Sequence, residues 1–348
     1  MSDVRDTTQY GSGHDDGLEP LVPLDVASAT SVDALVRAMA NTAFGGRRLG
    51  EAADVLEAMV RDEGCYRVVT VSGAMTIAKQ GLVLCEMIDR GWVQAVVATG
   101  ALMTHGFVEG AGMLHFKHRP SMKDELLYEK GYNRVYDTIE LEANLDATER
   151  ILRGALGDLP DDTVLSSRFV LERMGRYLTE HAQGRAVLKS AVAKNVPVYV
   201  PAFTDSELGL DLSIYNKARA RAGRPSLVFD PFRDLEHFTD QIRAHETIGI
   251  FTIGGGVPRN WAQQVGPHLE ISRSRLGIPE PVRRYKYAVR ICPEPDHWGG
   301  LSGCSYTEGV SWGKFVPENE GGRFAEVYSD ATIAWPIVVR AVIERLGR

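Results

Sequence analysis

The sequence predicts an α/β fold in which six or seven mostly parallel strands form one sheet with peripheral helices around it. Apolar runs rich in β-branched residues alternate with helical segments along most of the chain, as in parallel sheets. Nearly every such run ends in Gly, Ser, Thr or Asp, residue types found where strand ends meet a ligand. Because no linker-like stretch divides the series, we predict one domain over residues 21–348, after a disordered tail over residues 1–20.

Composition argues against several classes of protein. The chain has 348 residues, of which 44% are hydrophobic and 24% charged, values typical of a globular protein. Its net charge of −7 argues against nucleic-acid binding. The four cysteines are scattered without a C-x-x-C pair, which indicates reduced thiols in a cytoplasmic protein. No apolar run approaches the ~20 residues that span a bilayer, and the acidic N-terminus does not resemble a signal peptide. We therefore expect no membrane association.

The domain is predicted to begin with two helices. Ser31 is suited to an N-cap, and apolar residues at helical spacing continue to about Arg61. Gly45-Gly46 is predicted to divide this run.

A βαβ unit follows these helices. Residues 66–71 and 93–98 are β-rich runs separated by one helical segment, so the two strands should be parallel with a right-handed crossover. The first strand ends at Ser72-Gly73 and the second at Thr99-Gly100. Both ends should lie on the sheet edge where open α/β sheets bind ligands.

The middle of the chain is less regular. Residues 107–131 are predicted to form loops with short helices. Three histidines, His105, His115 and His118, lie in or beside this region, but their spacing fits no standard zinc pattern and no carboxylate partner is evident. We therefore expect no metal site. Amphipathic helices are predicted over residues 141–156, 169–178 and 186–194.

The second half returns to the strand–helix alternation. The predicted strands are residues 196–201, 227–230, 248–253, 286–292 and 325–328. The first of them leads into Asp205, and the third ends in Gly254-Gly255-Gly256. Three glycines allow positive φ and a close approach of the backbone to a ligand, and Pro258 suits the first turn of a helix. A last helix is predicted over residues 332–346, kinked or started near Pro336.

The most reactive-looking segment lies near the C-terminus. Lys314 follows Trp312 at a distance of two residues, and Glu308 lies upstream. A lysine becomes a nucleophile when burial against apolar surface removes its proton, and an indole face can hold an organic cation. The same residues could also form an ordinary surface turn.

Four segments occur in an order and at spacings that resemble the deoxyhypusine synthase family. They are Pro201-Ala202-Phe203-Thr204-Asp205, Gly254-Gly255-Gly256-Val257, Glu308-Gly309-Val310-Ser311-Trp312-Gly313-Lys314 and Val327-Tyr328-Ser329-Asp330-Ala331. The resemblance covers roughly residues 30 to 345, and the segment that ends at Lys314 is its most specific part. It implies a Rossmann-like homotetramer that uses NAD and has active sites at subunit interfaces.

The resemblance implies transfer of an aminobutyl group. Spermidine gives a hydride to NAD beside its secondary amine, the imine loses diaminopropane, and the four-carbon fragment is held as an imine on a lysine. An acceptor amine then takes the fragment, which the same NADH reduces. By position, Lys314 matches the imine-forming lysine, and Glu308 and Trp312 match residues that hold the polyamine. The NAD-contacting positions correspond to Thr99, Gly100, Ala101, Asp205, Gly254, Gly255, Gly256, Asp330 and Ala331.

Several positions depart from the hypusine-forming enzymes. Where those enzymes have an aspartate, this chain has Leu210, followed by Asp211; where they have a histidine, it has Asn260. Two further family aspartates correspond to Trp298 and Leu301. Losing an anionic partner for an alkylammonium costs about 1.5–3 kcal/mol for each charged hydrogen bond. We therefore expect a substrate pocket that includes Asn260 and Asp211 and that suits a different amine.

Three functions remain open on the sequence alone. The first is an NAD-dependent aminobutyl transferase acting on free polyamines, for example homospermidine synthesis from spermidine and putrescine. The second is deoxyhypusine synthesis on a lysine of a translation factor. The third is an NAD-binding homologue without transferase chemistry, a reading that the missing carboxylates motivate.

Overall fold

The protein is described by a computed structural model over residues 5–347, so the first four residues of the predicted tail lie outside the described residues. Within this range the strands are β1 (Cys65–Val71), β2 (Ala95–Ala98), β3 (Phe116–Lys117), β4 (Tyr132–Val135), β5 (Thr138–Leu141), β6 (Val164–Leu165), β7 (Val198–Tyr199), β8 (Val228–Phe229), β9 (Thr247–Ile253), β10 (Tyr285–Ile291) and β11 (Arg323–Val327).

Helices surround these strands. They are α1 (Val32–Ala40), α2 (Phe44–Arg61), α3 (Gly81–Asp89), α4 (Gly100–Gly110), α5 (Asp124–Glu129), α6 (Glu142–Leu156), α7 (Ser167–His181), α8 (Val187–Ala193), α9 (Glu207–Arg221), α10 (Phe232–Arg243), α11 (Gly256–Gln263), α12 (Val265–Leu276), α13 (Tyr306–Ser311) and α14 (Ala331–Arg345). Single 3₁₀ turns occur at Thr7–Gln9, Val26–Ser28, Asp296–Trp298 and Glu318–Glu320. None of the described helices has both the length and the apolar character needed to cross a membrane.

The central sheet confirms the predicted fold class. Its order is β11-β10-β9-β1-β2-β7, and every neighbouring pair is parallel. Along the chain these are the sixth, fifth, fourth, first, second and third strands of the sheet, the order of a Rossmann-type fold. The register pairs Val71 with both Ala98 and Ile253, so the strand ends are level at one edge.

Alternation along β1 explains why the sheet is covered on both faces. Val69 and Val71 belong to the apolar cluster that contains residues of α2 and α14. Tyr66 and Val68 belong to the cluster formed with α10, α11 and α12. Because successive strand side chains point to opposite faces, a strand buried on both faces is apolar or β-branched throughout. Every residue of β1 is buried.

The strand predicted at residues 227–230 forms, but not in the central sheet. It is β8, which pairs in parallel with β6 over two residues. The Asn216 side chain of α9 explains its position, since its Oδ1 accepts from the Leu227 amide at 2.9 Å and its Nδ2 donates to the Leu227 carbonyl at 3.0 Å. A short run held by a neighbouring helix therefore supplies no seventh strand to the main sheet.

Two other local predictions were wrong. Gly45-Gly46 does not divide the N-terminal helices; it lies in the first turn of α2, and the break falls at residues 41–43, between α1 and α2. Residues 107–131 do not contain only loops and helices, because β3 lies there and joins β4 and β5 in an antiparallel sheet. The Ser31 N-cap is confirmed, since its side chain accepts from the Ala34 amide at 3.0 Å. The last helix starts at Ala331 and includes Pro336.

Candidate active site

The carboxyl ends of the parallel strands form one edge, and the direction of strand addition reverses between β1 and β9. Such a reversal leaves a crevice outside the strand ends, where open α/β sheets bind ligands. Ser72 and Gly254–Gly256 border this crevice, and the Ser72 hydroxyl donates a hydrogen bond to the Gly255 carbonyl. Thr99 adjoins it, because its hydroxyl donates to the Gly73 carbonyl at 2.7 Å. The shared edge predicted for the first two strand ends is confirmed.

The glycine turn after β9 is built for close packing. Gly254 and Gly256 have φ values of +76° and +60°, which residues other than glycine rarely adopt. Gly255 has extended backbone, but a Cβ there would lie 2.4 Å from the Ser302 Cα. The Gly256 amide donates to the Ser302 hydroxyl at 3.1 Å. The turn therefore requires the loop around Ser302 to sit directly against it.

Two buried arginines hold that loop. Arg259 of α11 donates to the Ser302 carbonyl at 3.3 Å and to the Cys304 carbonyl at 2.5 Å. Arg290 of β10 donates to the Ser302 carbonyl and pairs with Glu326. Both arginines are 1% exposed. The sequence did not identify these arginines, because an arginine that donates hydrogen bonds to backbone carbonyls is part of no recognisable motif.

Lys314 follows α13 and is fixed by its backbone against β10. Its amide donates to the Gly309 carbonyl at 3.1 Å, and its carbonyl accepts from the Tyr285 amide at 2.9 Å. The next residue, Phe315, is fully buried, with ring centroids 4.9 Å from Tyr306 and 5.8 Å from Tyr285. An aromatic core therefore anchors the lysine on both sides.

The Lys314 side chain has the environment that a nucleophilic amine needs. It is 7% exposed, and its Nζ donates to Asn260 Oδ1 at 3.3 Å. Burial lowers the pKa of the Lys314 ammonium; the positive charge of Arg259 acts in the same direction, while Cys304 and Glu308 oppose it. Asn260 accepts a hydrogen bond without adding a negative charge, so it orients the amine with little added preference for the protonated form.

Glu308 and Trp312 lie at the solvent side of the lysine. Trp312 is 64% exposed, and Lys314 Nζ lies 5.9 Å from its ring centroid. Glu308 is exposed on α13, where its amide donates to the N-capping Ser305 hydroxyl at 3.1 Å. The structure therefore brings together four of the predicted residues: Glu308, Trp312, Lys314 and Asn260. An indole and a carboxylate at the mouth of a buried amine suit an aliphatic cation.

The positions predicted to contact NAD lie at strand ends. Thr99 caps α4 by accepting from the Leu102 amide at 3.2 Å. Gly100 and Ala101 form the first turn of α4, and a Cβ on Gly100 would lie 2.2 Å from the Ser206 Cβ. The exposed Asp205 immediately precedes Ser206, the N-cap of α9.

Asp330 and Ala331 have a structural function of their own. Asp330 Oδ1 accepts from the Thr332 amide and the Thr332 hydroxyl, both at 2.7 Å, and so caps α14. Ala331 is buried. Asp205 follows β7 and Asp330 follows β11, the two outer strands, so these exposed carboxylates lie at opposite ends of the sheet edge, with the glycine turn after β9 and the N-terminus of α4 between them. They fit a dinucleotide, whose phosphates favour helix N-termini and whose ribose hydroxyls favour carboxylates.

Asp211 lies elsewhere, on α9, which packs against α4 and α6. It is 2% exposed, and its Oδ2 is buried without a hydrogen-bond partner among the described residues. Burial, together with the negative charges of Glu207, Glu149 and Asp146, raises its pKa to about 7. A cation placed beside this carboxylate would stabilise its ionised form.

Replacing Asp211 by asparagine should change the pH dependence of stability. The pKa of Asp211 is raised from 3.8 to about 7, so the folded state binds more protons than the unfolded chain between these values. The free energy of unfolding of the native protein should therefore fall as pH rises from about 4 to about 8, and Asp211→Asn should reduce this fall. Urea denaturation at pH 5 and pH 8 measures the difference, with the exposed Asp162→Asn as control. Equal pH dependence in the native protein and Asp211→Asn would contradict the assignment.

The structure also reveals a cluster that the sequence did not. His105 Nδ1 lies 3.0 Å and His115 Nε2 lies 2.6 Å from Glu140 Oε2. Glu140 is therefore the carboxylate partner that was not evident from the sequence. It lies on β5, which places it beside the two histidines. It was missed because it lies 25 residues beyond His115 in a strand that was not predicted. His118, the third histidine of the region, lies outside the cluster.

Comparisons with known proteins identify the family of the chain. The family model for deoxyhypusine synthase matches residues 34–342. A protein of Methanosarcina acetivorans named "Probable deoxyhypusine synthase 2" is 33% identical over 327 residues, which cover 94% of this chain and 90% of that protein. A "Deoxyhypusine synthase-like protein" of Chlorobaculum parvum is 30% identical, covering 92% of this chain and 88% of its own length.

Solved structures support the fold. A crystal structure of a candidate deoxyhypusine synthase from Entamoeba histolytica aligns with a TM-score of 0.59 at 13% identity, covering 92% of this chain and 96% of that one. With a family model spanning most of the chain and relatives at about a third identity over nearly its whole length, the protein belongs to the deoxyhypusine synthase family, a family of NAD-dependent aminobutyl transferases.

Proposed function

We propose that this protein transfers the aminobutyl group of spermidine to a small amine such as putrescine, which yields homospermidine. The observation that carries the proposal is Lys314, a buried amine held by the neutral Asn260 amide beneath an exposed indole. Such an amine is kept ready to attack an imine carbon.

NAD, held at the strand ends beside Gly254–Gly256, would supply the hydride acceptor for the carbon beside the secondary amine of spermidine and the hydride donor at the end of the reaction. The neutral Lys314 amine attacks the resulting imine carbon, and 1,3-diaminopropane leaves with the former secondary nitrogen. A carbon–nitrogen double bond to Lys314 Nζ then holds the aminobutyl fragment. The primary amine of the acceptor displaces Lys314 and forms a new imine, which the returned hydride would reduce. Asn260 orients Nζ through each exchange, since its Oδ1 lies 3.3 Å away.

The residues that replace the family aspartates favour a free amine over the usual acceptor. Trp298 and Leu301, in the loop before α13, and Leu210, on α9, occupy places where the hypusine-forming enzymes have aspartates, and all three are more than half exposed. They offer apolar contact to the methylene chain of a short diamine, whereas a protein acceptor with several charged groups gains nothing from them. Asp211 remains as a carboxylate that could bind an ammonium group.

The second candidate is modification of a translation-factor lysine. It is favoured by the name of the Methanosarcina acetivorans relative, a "Probable deoxyhypusine synthase". The chemistry at Lys314 would be the same and only the acceptor would differ. The third reading, an NAD-binding homologue without transferase chemistry, is opposed by the buried Lys314 and its neighbours.

One experiment separates these functions. Purified protein is incubated with NAD, spermidine and putrescine, and the small products are identified by mass spectrometry. We expect diaminopropane and homospermidine in equal amounts. A parallel reaction contains radiolabelled spermidine and the precursor translation factor; label on the factor without homospermidine would establish the second function. Absence of diaminopropane in both reactions, together with a rise in melting temperature caused by NAD alone, would support the third.

We further propose a cytoplasmic homotetramer with active sites between subunits. Large apolar side chains that are more than half exposed, including Trp312, Trp298 and Leu301, lie around the site, and a neighbouring subunit would bury them. Asp211 lies on α9, which follows the outer strand β7, whereas Lys314 lies against β10, four strand positions away in the sheet, so a site that used both would need two chains. Light scattering after gel filtration measures the assembly.

A further inference from the structure

The cluster of His105, His115 and Glu140 joins three separate elements. His105 lies on α4, His115 precedes β3, and Glu140 lies on β5. The side chains of His115 and Glu140 are each 1% exposed, and that of His105 is 15% exposed. One ligand atom from each lies within 4.8 Å of the other two. Two imidazoles and a carboxylate are thus brought together in a nearly closed site.

Glu140 is oriented before any ligand binds. Its Oε1 accepts from the Leu141 amide at 2.9 Å and from the Asn144 amide group at 2.7 Å. This leaves Oε2 facing both histidines. A carboxylate with one oxygen held by neighbouring donors and the other turned towards two imidazoles resembles the arrangement around bound metals, where surrounding hydrogen bonds orient the ligands.

His115 supplies an independent observation. Its Nε2 is buried 2.6 Å from Glu140 Oε2, but among the described residues it makes no hydrogen bond of good geometry. A buried ring nitrogen with a poorly aligned partner is costly, and an ion placed between the two atoms would remove that cost. An ion bound to both atoms would satisfy the nitrogen and the oxygen together.

We propose that His105, His115 and Glu140 bind a divalent transition-metal ion of the zinc class. Two histidines and one carboxylate form a known ligand set for such ions, with a fourth position left for water or another ligand. Ligand distances of about 2.0–2.2 Å in tetrahedral geometry place ligand atoms roughly 3.3 Å apart. The His105 ring, now 3.0 Å from Glu140 Oε2, would then move outward by about 0.3 Å and the His115 ring, now 2.6 Å away, by about 0.7 Å.

Lys79 must change partner when the ion binds. Its Nζ lies 2.9 Å from His115 Nδ1, and in the bound state that nitrogen carries the ring proton. Glu109 Oε1 lies 3.5 Å from the same ammonium and can form the ion pair with it instead. Lys79 is about half exposed, so this movement disturbs no packed core. The ion would then fasten the small antiparallel sheet to α4. This site is separate from the transferase residues and does not depend on the proposed function.

The test uses the full-length, untagged protein after treatment with a chelator and dialysis. Zinc binding is followed by isothermal titration, Co²⁺ binding by visible absorption, and bound metal in freshly purified protein by elemental analysis. We expect one ion per chain. His115→Ala and Glu140→Gln should weaken zinc binding at least a hundredfold, whereas His118→Ala, which changes a neighbouring histidine outside the cluster, should leave it unchanged.

Two results would overturn the proposal. The first is the absence of stoichiometric Zn²⁺ or Co²⁺ binding to the unmodified protein, a measurement that does not depend on any variant folding. The second is unchanged affinity in a Glu140→Gln protein that circular dichroism shows to be folded. Either result would mean that the cluster is a hydrogen-bonded network without a metal. The transferase proposal is tested separately, by the products of its own assay.

Discussion

Replacing Lys314 by alanine or arginine should abolish release of diaminopropane from spermidine, with a loss of at least ~10³-fold in kcat. Alanine removes the nucleophile, and arginine stays protonated at any accessible pH and cannot form the imine. Borohydride added during turnover should trap the aminobutyl group on Lys314 in the native protein, and peptide mass spectrometry should locate it. The exposed Lys194→Ala is the control and should keep full activity. Full activity in either Lys314 variant would exclude the proposed chemistry.

The same residue should limit stability. Burial lowers the pKa of Lys314 below 10.5, so between its folded and unfolded values the unfolded chain binds more protons. The free energy of unfolding therefore rises with pH in this window, and the charged lysine destabilises the fold below it. Lys314→Met, which keeps the length and removes the charge, should raise the melting temperature at pH 7 while abolishing activity. A lower melting temperature would show that the Asn260 hydrogen bond outweighs the cost of burial.

The central sheet could be predicted because its strands are buried on both faces and therefore appear as continuous apolar runs. The runs at β1, β9 and β10 are of this type, and each is seven residues long in the structure. The run at β8 looked similar but is held by the Asn216 side chain, a contact with a residue eleven positions earlier. The strand order of the sheet could not be predicted from the apolar pattern, because it depends on packing between distant segments.

The antiparallel sheet was not predicted, because its strands are short and mostly exposed and do not form continuous apolar runs. β3 is two residues long and exposed, and β4 is mostly exposed, so neither shows the alternation that marks a half-buried strand. Of these three strands only β5 has buried residues, Ile139 and Glu140, and as consecutive residues they lie on opposite faces of the strand. A buried carboxylate breaks the expected apolar pattern, and this is why the one residue that completes the histidine cluster could not be recognised.

The candidate active site was predictable to the extent that its residues lie in motifs. The segment from Glu308 to Lys314 places a carboxylate, an indole and an amine together within one helix and its end, so sequence distance reflects spatial distance. Asn260 is predicted from the sequence as a residue of the substrate pocket, but its hydrogen bond to Lys314 Nζ is not. The contact joins residues 54 positions apart, which no local pattern can show.

The loop around Ser302 connects the glycine turn to Lys314. Because of this connection, we expect a substitution at Gly255 to affect both stability and activity. A Cβ on Gly255 would lie 2.4 Å from the Ser302 Cα, far inside contact distance. Ser302 must then move, and with it the carbonyls that Arg259 and Arg290 hold. Arg259 also donates to the Cys304 carbonyl, two residues before α13, so the displacement reaches the helix that positions Lys314.

We therefore expect Gly255→Ala to lower the free energy of unfolding by about 1–3 kcal/mol, as overpacking does, and to reduce both NAD affinity and kcat at least tenfold. Urea denaturation, NAD titration and the diaminopropane assay measure the three effects. Gly154→Ala is the matched control: Gly154 is an exposed position of α6 with nothing within 4 Å of its added Cβ, and alanine there should stabilise the helix by about 1 kcal/mol. Because φ at Gly255 lies outside the left-handed region, we attribute the expected loss in Gly255→Ala mainly to the contact with Ser302. Shortening that side chain in the double variant Gly255→Ala with Ser302→Gly should then recover part of the stability, and no recovery would show that the backbone of the loop, rather than its side chain, is the obstacle.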